Sequence, residues 1–534
     1  MTRFCLNSKY FLSKNLKLNL NIVLWIYFFN FLFNEAVAQT NTFSRVYFNN
    51  ISTQSTDILE TPDKGFLISG ENESEGLLMK TDSAGQIIFT KQMGNTTNEK
   101  YNCLLPVNDS IFLASGKILS GSSLDAIITK FNSIGDTVWS RKIDLGYSEE
   151  AVSMDICTDG GYIIAASISL GSAPNNNIGV IKLDSSGQLQ WSKKFSCGTN
   201  GDIPYCIKSD SSGEYYLSGM TENFPPFDAE GFLIKLNSSG NIIWSKKYHI
   251  PNTWTMLKDF KIKGSSIYGL LATGGPQLGL IKTDMNGNVI NNQIFLGINP
   301  SQIINEKQTR INLTQDNGFI VSNKEIMIKT DSLLQQEWTY SPMLYLCNVF
   351  QCHDKGYMLC GNGPILGVMQ PQSLVPQIGI IKTDSSGFGP QCFYGSSSIS
   401  VMQDTISITN ISFTETSLGT VSVAHPAFAN VTIQSNSSCV DFYGSTSTQM
   451  SDTPENLPYP NPADGFCTLA VNGIKWEGTE KISVFNFMGE ESSVQVTHTS
   501  DRIKINVSEL PDGPYLMVVS SLQRHRTYKF NVRH

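Results

Sequence analysis

The side chains that could carry out catalysis are sparse in this sequence. After residue 38 the chain has six histidines, at positions 249, 353, 425, 498, 525 and 534, and none belongs to an H-E-x-x-H motif or to the close pair that a zinc site needs. A nucleophile elbow and a phosphate-binding loop are also absent from the sequence. We therefore predict no catalytic residue, no metal site and no cofactor.

Carboxylates offer the one catalytic alternative, an enzyme that acts on polysaccharide. Glycoside hydrolysis needs two carboxyl groups about 5–10 Å apart in a concave pocket. Asp228 and Glu230 are the candidates, and they would have to converge at a central channel.

A lysine followed two residues later by an acidic or amide residue recurs along the chain. The lysines are Lys80, Lys130, Lys182, Lys235, Lys282, Lys329 and Lys382, in steps of 50, 52, 53, 47, 47 and 53 residues. The residues two positions on are Asp82, Asn132, Asp184, Asn237, Asp284, Asp331 and Asp384. Such pairs usually lie on solvated faces, so we interpret Lys-x-Asp as a charge pair on one face or between neighbouring repeats.

Two further residue types keep fixed distances from the repeated lysine. Five residues after it comes Gly85, Gly135, Gly187, Gly240, Gly287, Leu334 or Gly387. Nine residues after it comes Phe89, Trp139, Trp191, Trp244, Asn291, Trp338 or Gln391. An Asx side chain can hydrogen-bond the backbone two residues on, and glycine supplies the positive φ that closes a hairpin with a bulge. Each repeat is therefore predicted to contain two antiparallel strands joined at this turn.

The period and the strand content together predict an all-β fold. A repeat near fifty residues with about four short strands indicates a β-propeller, and seven repeats give a seven-bladed β-propeller over residues 39–394. Trp139, Trp191, Trp244 and Trp338 are assigned a structural role in the blades, because large rings fill the space between neighbouring sheets.

The segment from Phe43 to Phe48 resembles the strands that begin at Trp191 and Trp244, but no repeat precedes it. The seventh repeat has lost its own tryptophan at this place. We predict that the N-terminal segment completes the last blade, which removes an open sheet edge.

The connections that precede the lysine strands vary most among the repeats. They are Leu170 to Asn177, Thr221 to Glu230, Gly274 to Gln277 and Gly363 to Gln377. We expect them on one rim of the propeller, and loops carried by a rigid scaffold are where binding usually occurs.

Residues 1–38 have the features of a signal peptide. Basic residues precede an apolar run of about twelve residues, from Ile22 to Phe33, which is shorter than the roughly 20 residues of a membrane span. Ala36 and Ala38 form a small-x-small cleavage site before Gln39.

Charge and cysteine content limit the partners and the redox state. The formal net charge is −8 and only 16% of residues are charged, which gives no footprint for nucleic acid. Export permits disulfides, and the nearest pairs are Cys197 with Cys206, Cys347 with Cys352 and Cys392 with Cys439, whereas Cys103, Cys157, Cys360 and Cys467 are interpreted as buried thiols.

The C-terminal part divides into three predicted segments. Residues 395–443 are a β-rich extension, either a small β-domain or, as we favour, extra strands packed on the propeller. Residues 444–456 are a polar linker. Residues 457–534 are predicted to form an Ig-like β-sandwich, with strands at 467–471, 481–487, 493–497, 503–507, 515–520 and 527–532.

The repeats resemble those of secreted propellers of gliding, gut and oral Gram-negative bacteria. Their Asp184-x-x-Gly187-x-x-x-Trp191 core is also similar to the tryptophan motif of quinoprotein-type propellers. In that family the motif is structural, and no adjacent cysteine pair here implies a bound quinone.

Residues 457–534 resemble the C-terminal sorting domain of type IX secretion substrates. The ordered motifs are Tyr459-Pro460-Asn461-Pro462-Ala463, Val484 to Gly489, Val507 to Leu510, Gly513-Pro514-Tyr515 and Lys529 to Arg533. The resemblance implies that Pro460, Asn461, Pro462, Gly489, Gly513, Tyr515 and Lys529 belong to the sorting motif. It also implies handling by the type IX secretion machinery, removal of the domain, and release or attachment to surface lipopolysaccharide.

These expectations combine into an exported, non-catalytic binding or adhesion propeller. It would be secreted or held on the outer-membrane surface, with a glycan or another protein as its ligand. A polysaccharide-acting enzyme and a structural spacer of a surface assembly are the alternatives. Exposed aromatic side chains at the funnel would favour glycan binding, paired carboxylates the enzyme, and a uniformly polar funnel the spacer.

Overall fold

A computed structural model covers the chain and describes most of it as β-strands. The described residues are 42–48, 52–93, 98–169, 171, 176–197, 201–223, 228–297, 309–324, 326–342, 344–362, 377–389, 394–395, 400–402, 406–410, 414–417, 420–423, 428–430, 434–437, 465–470, 481–486, 491–498, 502–511, 513–520 and 525–532. These residues contain no helix, so none that could cross a membrane. The predicted signal peptide, its Ala36–Ala38–Gln39 cleavage site and the linker lie outside them.

The first strand is separate from the repeats that follow it. It is β1 (Phe43–Phe48). Blade 1 comprises β2 (Thr53–Glu60), β3 (Phe66–Asn72), β4 (Glu75–Thr81) and β5 (Ile87–Met93). Blade 2 comprises β6 (Lys100–Asn108), β7 (Ile111–Ser120), β8 (Ser123–Asn132) and β9 (Thr137–Asp144). Blade 3 comprises β10 (Ser148–Ile156), β11 (Tyr162–Ser169), β12 (Asn176–Leu183) and β13 (Leu189–Ser196).

Four further blades follow with the same antiparallel order. Blade 4 comprises β14 (Asp202–Ser209), β15 (Tyr215–Asn223), β16 (Asp228–Leu236) and β17 (Ile242–His249). Blade 5 comprises β18 (Thr255–Lys263), β19 (Ser266–Thr273), β20 (Gln277–Asp284) and β21 (Val289–Leu296). Blade 6 comprises β22 (Arg310–Leu313), β23 (Phe319–Asn323), β24 (Ile326–Thr330) and β25 (Gln336–Pro342). Blade 7 comprises β26 (Tyr345–Gln351), β27 (Tyr357–Asn362), β28 (Ile378–Lys382) and, from the N-terminus, β1.

The N-terminal strand closes the ring, as the sequence predicted. β1 pairs antiparallel with β28, with Val46 opposite Gly379, and so supplies the fourth strand of blade 7. On the other side of the same seam, Asn362 of blade 7 accepts a 2.6 Å hydrogen bond from the Ser55 amide of blade 1. The seven sheets therefore form a closed seven-bladed β-propeller.

Seven short strands after the last blade each add a fifth strand to one sheet. They are β29 (Tyr394–Gly395), β30 (Ser400–Met402), β31 (Ser407–Asn410), β32 (Thr414–Ser417), β33 (Thr420–Val423), β34 (Phe428–Asn430) and β35 (Gln434–Ser437). They pair in order with the fourth strands of blades 6, 5, 4, 3, 2, 1 and 7. Of the two arrangements left open by the sequence, the structure shows the added strands. We call Tyr394–Ser437 the outer belt.

The core of the propeller lies between neighbouring sheets. Strands alternate inward and outward side chains, and each blade presents apolar rows to both neighbours. Between blades 2 and 3, for example, Leu113 and Ile128 face Tyr162 and Ile164 across one buried cluster. Because a single four-stranded sheet cannot cover both of its faces, the blades are stable only when stacked in the ring.

The C-terminal residues form a second compact unit. Its strands are β36 (Phe466–Ala470), β37 (Lys481–Asn486), β38 (Glu491–Ser492), β39 (Val496–His498), β40 (Arg502–Asn506), β41 (Gly513–Ser520) and β42 (His525–Val532). One sheet has the order β36-β40-β39 and the other β38-β37-β41-β42. Ile503 and Ile505 of the first sheet share a buried cluster with Val484 and Met517 of the second, which confirms the predicted sandwich.

Candidate functional site

In blades 1, 3, 4, 6 and 7 the repeated lysine holds the turn between the first and second strands of its own blade. Its Nζ atom forms an ion pair with an aspartate of that turn, at Lys80–Asp63 (2.9 Å), Lys182–Asp159 (2.8 Å), Lys329–Asp316 (2.7 Å) and Lys382–Asp354 (2.8 Å). In blade 4 the partner is Glu214, at 2.6 Å from Lys235. The lysine side chains are nearly inaccessible to solvent, so these contacts hold the turns rigidly against the sheets.

The aspartate two residues after the lysine has a different task, and the predicted Lys-x-Asp charge pair is wrong. Asp184 Oδ1 accepts the backbone amides of Ser186 and Gln188, at 2.9 and 2.8 Å. Hydrogen bonds from the Gln188 amide, the Ser186 hydroxyl and neighbouring amides lower the pKa of Asp184. Since its oxygen is committed to the hairpin turn, Lys182 pairs with Asp159 instead.

The tryptophans of the repeats lie between blades. Trp191 of blade 3 covers Gly240 in the turn of blade 4, and its indole Nε1–H donates a hydrogen bond to Ser238 O at 3.2 Å. Trp139, Trp244 and Trp338 lie in the same way against Gly187, Gly287 and Gly387. Phe43 of β1 lies against Gly85, so the same contact is made at the seam where the ring closes.

Aspartates on the innermost strands of blades 1, 3 and 5 each form a hydrogen bond with the next blade in the ring. Asp57 Oδ2 accepts the Leu104 amide at 2.9 Å, Asp155 Oδ2 accepts the Ser209 amide at 2.9 Å, and Asp259 Oδ2 accepts the Ile311 amide at 3.1 Å. Each bond joins the innermost strand of one blade to that of the next. These carboxylates therefore hold the centre of the ring together.

Basic side chains compensate the charge of these inner aspartates. Lys208 Nζ lies 3.7 Å from Asp155, and Lys261 Nζ lies 3.4 Å from Asp259. Burial alone would raise the pKa of Asp259, but Lys261, Arg310 and Lys208 outweigh it and lower the pKa. A general acid needs a raised pKa, so the environment of Asp259 favours a structural anion over a proton donor.

The two carboxylates named for an enzymatic site are placed differently from the expectation. Glu230 lies on β16, the third strand from the axis, and forms a 2.6 Å ion pair with Lys247 on β17. Glu230 therefore does not line the central channel. Asp228 begins β16 opposite Asn223, and its side chain is outside the described residues.

Strand direction divides the connections between two faces of the propeller. The turns between strands 1 and 2 and between strands 3 and 4 of each blade lie on one face, which we call the turn face. The connections between strands 2 and 3, and those from strand 4 to the next blade, lie on the other, which we call the loop face. All four variable connections predicted to share a rim belong to the loop face, although residues 170, 172–175, 224–227 and 363–376 within them are not described.

Three exposed aromatic residues mark the loop face where chains enter the inner strands. Tyr147 precedes β10 and is 37% exposed, Trp254 precedes β18 and is 37% exposed, and Tyr345 begins β26 and is 41% exposed. Lysines accompany two of them, with Lys194 Nζ at 5.3 Å from the ring centroid of Tyr147 and Lys324 Nζ at 4.6 Å from that of Tyr345. Each of these side chains is accessible on the loop face, at blades 3, 5 and 7, and could stack against a ligand there.

The sequence analysis did not single out these aromatic residues. The signal was available, because Tyr147 and Trp254 lie in the connections between successive blades and Tyr345 begins the first strand of blade 7. Trp139, Trp191, Trp244 and Trp338, in contrast, keep a fixed distance from the repeated lysine. An aromatic residue outside the repeat consensus and outside a strand interior has no packing role dictated by the repeat.

The described cysteines are free thiols, which contradicts two predicted disulfides. Cys197, Cys206, Cys347 and Cys352 are all unbonded, while Cys392 and Cys439 lie outside the described residues. Cys347 makes a side-chain hydrogen bond with Cys360, because the bulge in β26 places it beside β27. Closeness in sequence did not predict the disulfides correctly, because an extended strand separates cysteines that are only a few residues apart.

The predicted sorting-motif residues that the structure describes, Gly513, Tyr515 and Lys529, lie on β41 and β42. Tyr515 is buried, and its hydroxyl donates to Pro511 O at 3.0 Å, which closes the turn before β41. Gly513 pairs with Val532, and Lys529 with Leu516, across the two strands. Pro460, Asn461, Pro462 and Gly489 lie outside the described residues.

Comparison with known families identifies the C-terminal segment. Residues 458–533 match the secretion system C-terminal sorting domain. They are a type IX sorting domain, which implies handling by the type IX secretion machinery and export to the cell surface or release from the cell.

Whole-protein comparisons give more distant similarities. The regulatory protein FlaEY of Caulobacter vibrioides is 21% identical over 260 residues, which cover 41% of this chain and 26% of that protein. The chain thus spans about a quarter of the length of the curated relative it matches. Similar solved structures include the Pan2 WD40 domain of Neurospora crassa (TM-score 0.40, 12% identity, 62% of this chain, 89% of that chain). Another is prolyl oligopeptidase B of Galerina marginata (TM-score 0.38, 12% identity, 66% of this chain, 51% of that chain).

Proposed function

We propose that this exported propeller is a non-catalytic binding or adhesion protein whose loop face binds a glycan. The observation that carries the proposal is the exposure of Tyr147, Trp254 and Tyr345 on the same face. Rings of this size bind the apolar faces of sugars with little loss of side-chain entropy, because only two torsions are fixed.

The charges beside the rings refine the class of ligand. Lys194 and Lys324 have ammonium groups next to Tyr147 and Tyr345. An ammonium group only donates hydrogen bonds, so it suits hydroxyl oxygens and, more strongly, the carboxylates of acidic sugars. A polysaccharide that carries negative charge fits this surface better than a neutral one.

The placement of carboxylates supports a binding role over hydrolysis. Asp57, Asp155 and Asp259 accept backbone hydrogen bonds between blades, and Glu230 is paired with Lys247. A hydrolase needs one carboxyl group with a raised pKa and a second one free to attack or to activate water. Because these four carboxylates are engaged in hydrogen bonds or an ion pair, they are unsuited to glycoside hydrolysis.

The sorting domain gives the proposal its location. The type IX sorting domain implies export to the cell surface or release, where polysaccharides would be accessible to the loop face. Attachment of the exported protein to surface lipopolysaccharide would make it an adhesin, and release would make it a soluble binding protein.

A glycan array probed with the chain from Gln39 onward tests this function. The wild-type protein is expected to bind a restricted set of acidic glycans, and the variant Y147A/W254A/Y345A is expected to lose them. F388A is the matched control, because Phe388 is an exposed aromatic residue on the turn face. A wild-type protein that binds no glycan but captures a protein partner through the same face would replace the glycan with a protein ligand.

A further inference from the structure

Three carboxylates from two blades come together at the loop face. Asp125 lies near the start of β8, Asp144 ends β9, and Glu149 is the second residue of β10. One oxygen from each lies within 4.8 Å of one from each of the others. Among the described residues, this is the only set of three or more acidic, histidine or cysteine ligands so close together.

Two of these carboxylates are buried and short of partners. Asp125 and Glu149 are each 1% exposed. Oδ1 of Asp125 and Oε2 of Glu149 have no hydrogen-bond partner, and Oδ2 of Asp125 has only an ion pair with Lys142. A buried carboxylate oxygen without a partner is costly, so its presence in the cluster points to a cation or a proton at this place.

The remaining contacts define the cluster and its charge. Glu149 Oε1 accepts the Tyr147 amide at 2.7 Å, and Asp144 Oδ1 accepts the Gly146 amide at 2.8 Å. Lys142 Nζ lies 2.9 Å from Asp125 Oδ2 and donates to Ser120 Oγ at 2.7 Å. One ammonium group against three carboxylates leaves a charge of about −2 when all are ionised, which a single divalent cation neutralises.

Asp202 shows that a buried carboxylate at this strand position does not by itself form a cluster. Like Glu149, it lies two residues before the bulge of an inner strand and is buried. Its Oδ2 accepts the Cys197 amide at 2.7 Å, in the same way as Glu149 accepts that of Tyr147. No second and third carboxylate complete a set around it among the described residues.

We propose that Asp125, Asp144 and Glu149 bind a Ca²⁺ ion that links blade 2 to blade 3 on the loop face. The ligands are all oxygens, which are the preference of a hard cation, and the absence of histidine and cysteine from the three disfavours zinc. Ca²⁺ accepts irregular sets of carboxylates, carbonyls and waters, whereas Mg²⁺ demands near-octahedral geometry. Extracellular Ca²⁺ modules bind with Kd values of about 10⁻⁴–10⁻³ M, which suits an exported protein.

The position of the ion gives it a consequence for the loop face. Tyr147 lies between Asp144 and Glu149, and its amide is bonded to Glu149. A bound ion would therefore fix the loop that carries this exposed aromatic residue. The proposal stands on the carboxylate geometry alone and does not depend on glycan binding.

Calcium titration of the chain from Gln39, after treatment with EDTA, tests the site. Thermal unfolding should show a saturable rise in Tm of roughly 2–6 °C with half-saturation near 0.1–1 mM Ca²⁺. The variants E149Q and D144N should lose this rise, and D202N should keep it. D144N changes an exposed side chain, so it remains informative if E149Q fails to fold.

Two results would overturn the calcium proposal. One is a wild-type Tm that does not change up to 10 mM Ca²⁺ (about tenfold above the expected Kd range), and a greater stability of E149Q than of wild type at pH 7 would then indicate that a proton neutralises the cluster. The other is an equal Ca²⁺ response in wild type, E149Q and D144N, which would place the binding elsewhere.

Discussion

Trp191 lies across Gly240, and a Cβ built on that glycine would come within 2.7 Å of the indole ring. The glycine has a φ of +77°, so the turn of blade 4 both needs a left-handed residue and leaves no room for a side chain. Two sequence positions nearly fifty residues apart are thereby joined at one blade interface. The same contact recurs between Trp139 and Gly187, Trp244 and Gly287, and Trp338 and Gly387.

Gly240→Ala should therefore be strongly destabilising. The substitution adds a left-handed alanine, costing about 1 kcal/mol, and a clash with Trp191 worth about 1–3 kcal/mol more. Gly264→Ala is the matched control, because Gly264 has a φ of +58° and nothing within 4 Å of its added Cβ. Urea unfolding should give G240A a loss at least twice that of G264A, and equal losses would contradict the packing explanation.

The turn aspartates should make stability depend on acid pH. Burial raises the pKa of Asp316, but hydrogen bonds from Lys329, Thr314 and Gly318 lower it overall to about 2. A lowered folded-state pKa means that the ion pair stabilises the fold above the ordinary value of 3.8, and that this stability is lost as the pH falls from about 4 towards 2.

Asp316→Asn tests that pH dependence. Because the carboxylate is half exposed, the expected loss at pH 7 is only about 1 kcal/mol after solvent screening. The difference between D316N and wild type should shrink towards zero below pH 3. A difference that is constant from pH 7 to pH 2 would show that the ion pair is not its cause.

The cysteines should be unreactive in the folded protein. Burial raises the pKa of the Cys103 and Cys157 thiols to about 11 and that of Cys206 to about 12, so few thiolates exist at pH 8. A thiol reagent should label these residues only after denaturation. Peptide mapping without reduction should find no Cys197–Cys206 or Cys347–Cys352 bond, and recovery of either linked peptide would contradict the structure.

Removal of the outer belt should expose seven sheet edges. The fourth strand of each blade pairs with one belt strand, and unpaired edges promote association between chains. A chain from Gln39 to Ser437 should be monomeric by light scattering, and one that ends at Gly389 should aggregate. Equal solubility and equal Tm for the two chains would mean that the belt adds no protection.

The seven-bladed ring could be predicted from the sequence because the distances between the repeated residues are determined by local structure. The Asx residue, the turn glycine and the aromatic residue belong to one hairpin and to the next blade it contacts, so their distances repeat. The two departures from the consensus occur at the same contact. Asn291 replaces the tryptophan of blade 5, and Leu334 replaces the turn glycine of blade 6 that this tryptophan would cover. The Asn291 amide donates to Leu333 O at 3.0 Å, and Leu334 takes a φ of +70° in place of glycine.

Contacts that depend on distant parts of the chain were not predictable in the same way. The outer belt pairs with the blades in reverse order, and nothing in the repeat pattern encodes that order. The partner of Lys182 was misassigned because Asp184 is near in sequence but is already bonded to its own turn. The Asp125, Asp144 and Glu149 cluster joins three strand ends from two blades, and each residue alone looks like an ordinary polar side chain.

The most direct test of the binding face is isothermal titration of a glycan selected on the array. We expect Y147A/W254A/Y345A to bind it at least tenfold more weakly than wild type, with an unchanged Tm, because each lost ring contact contributes about 0.5–1.5 kcal/mol. F388A should bind as wild type does. Equal affinity in the triple variant and the wild type would contradict the assignment of binding to the loop face.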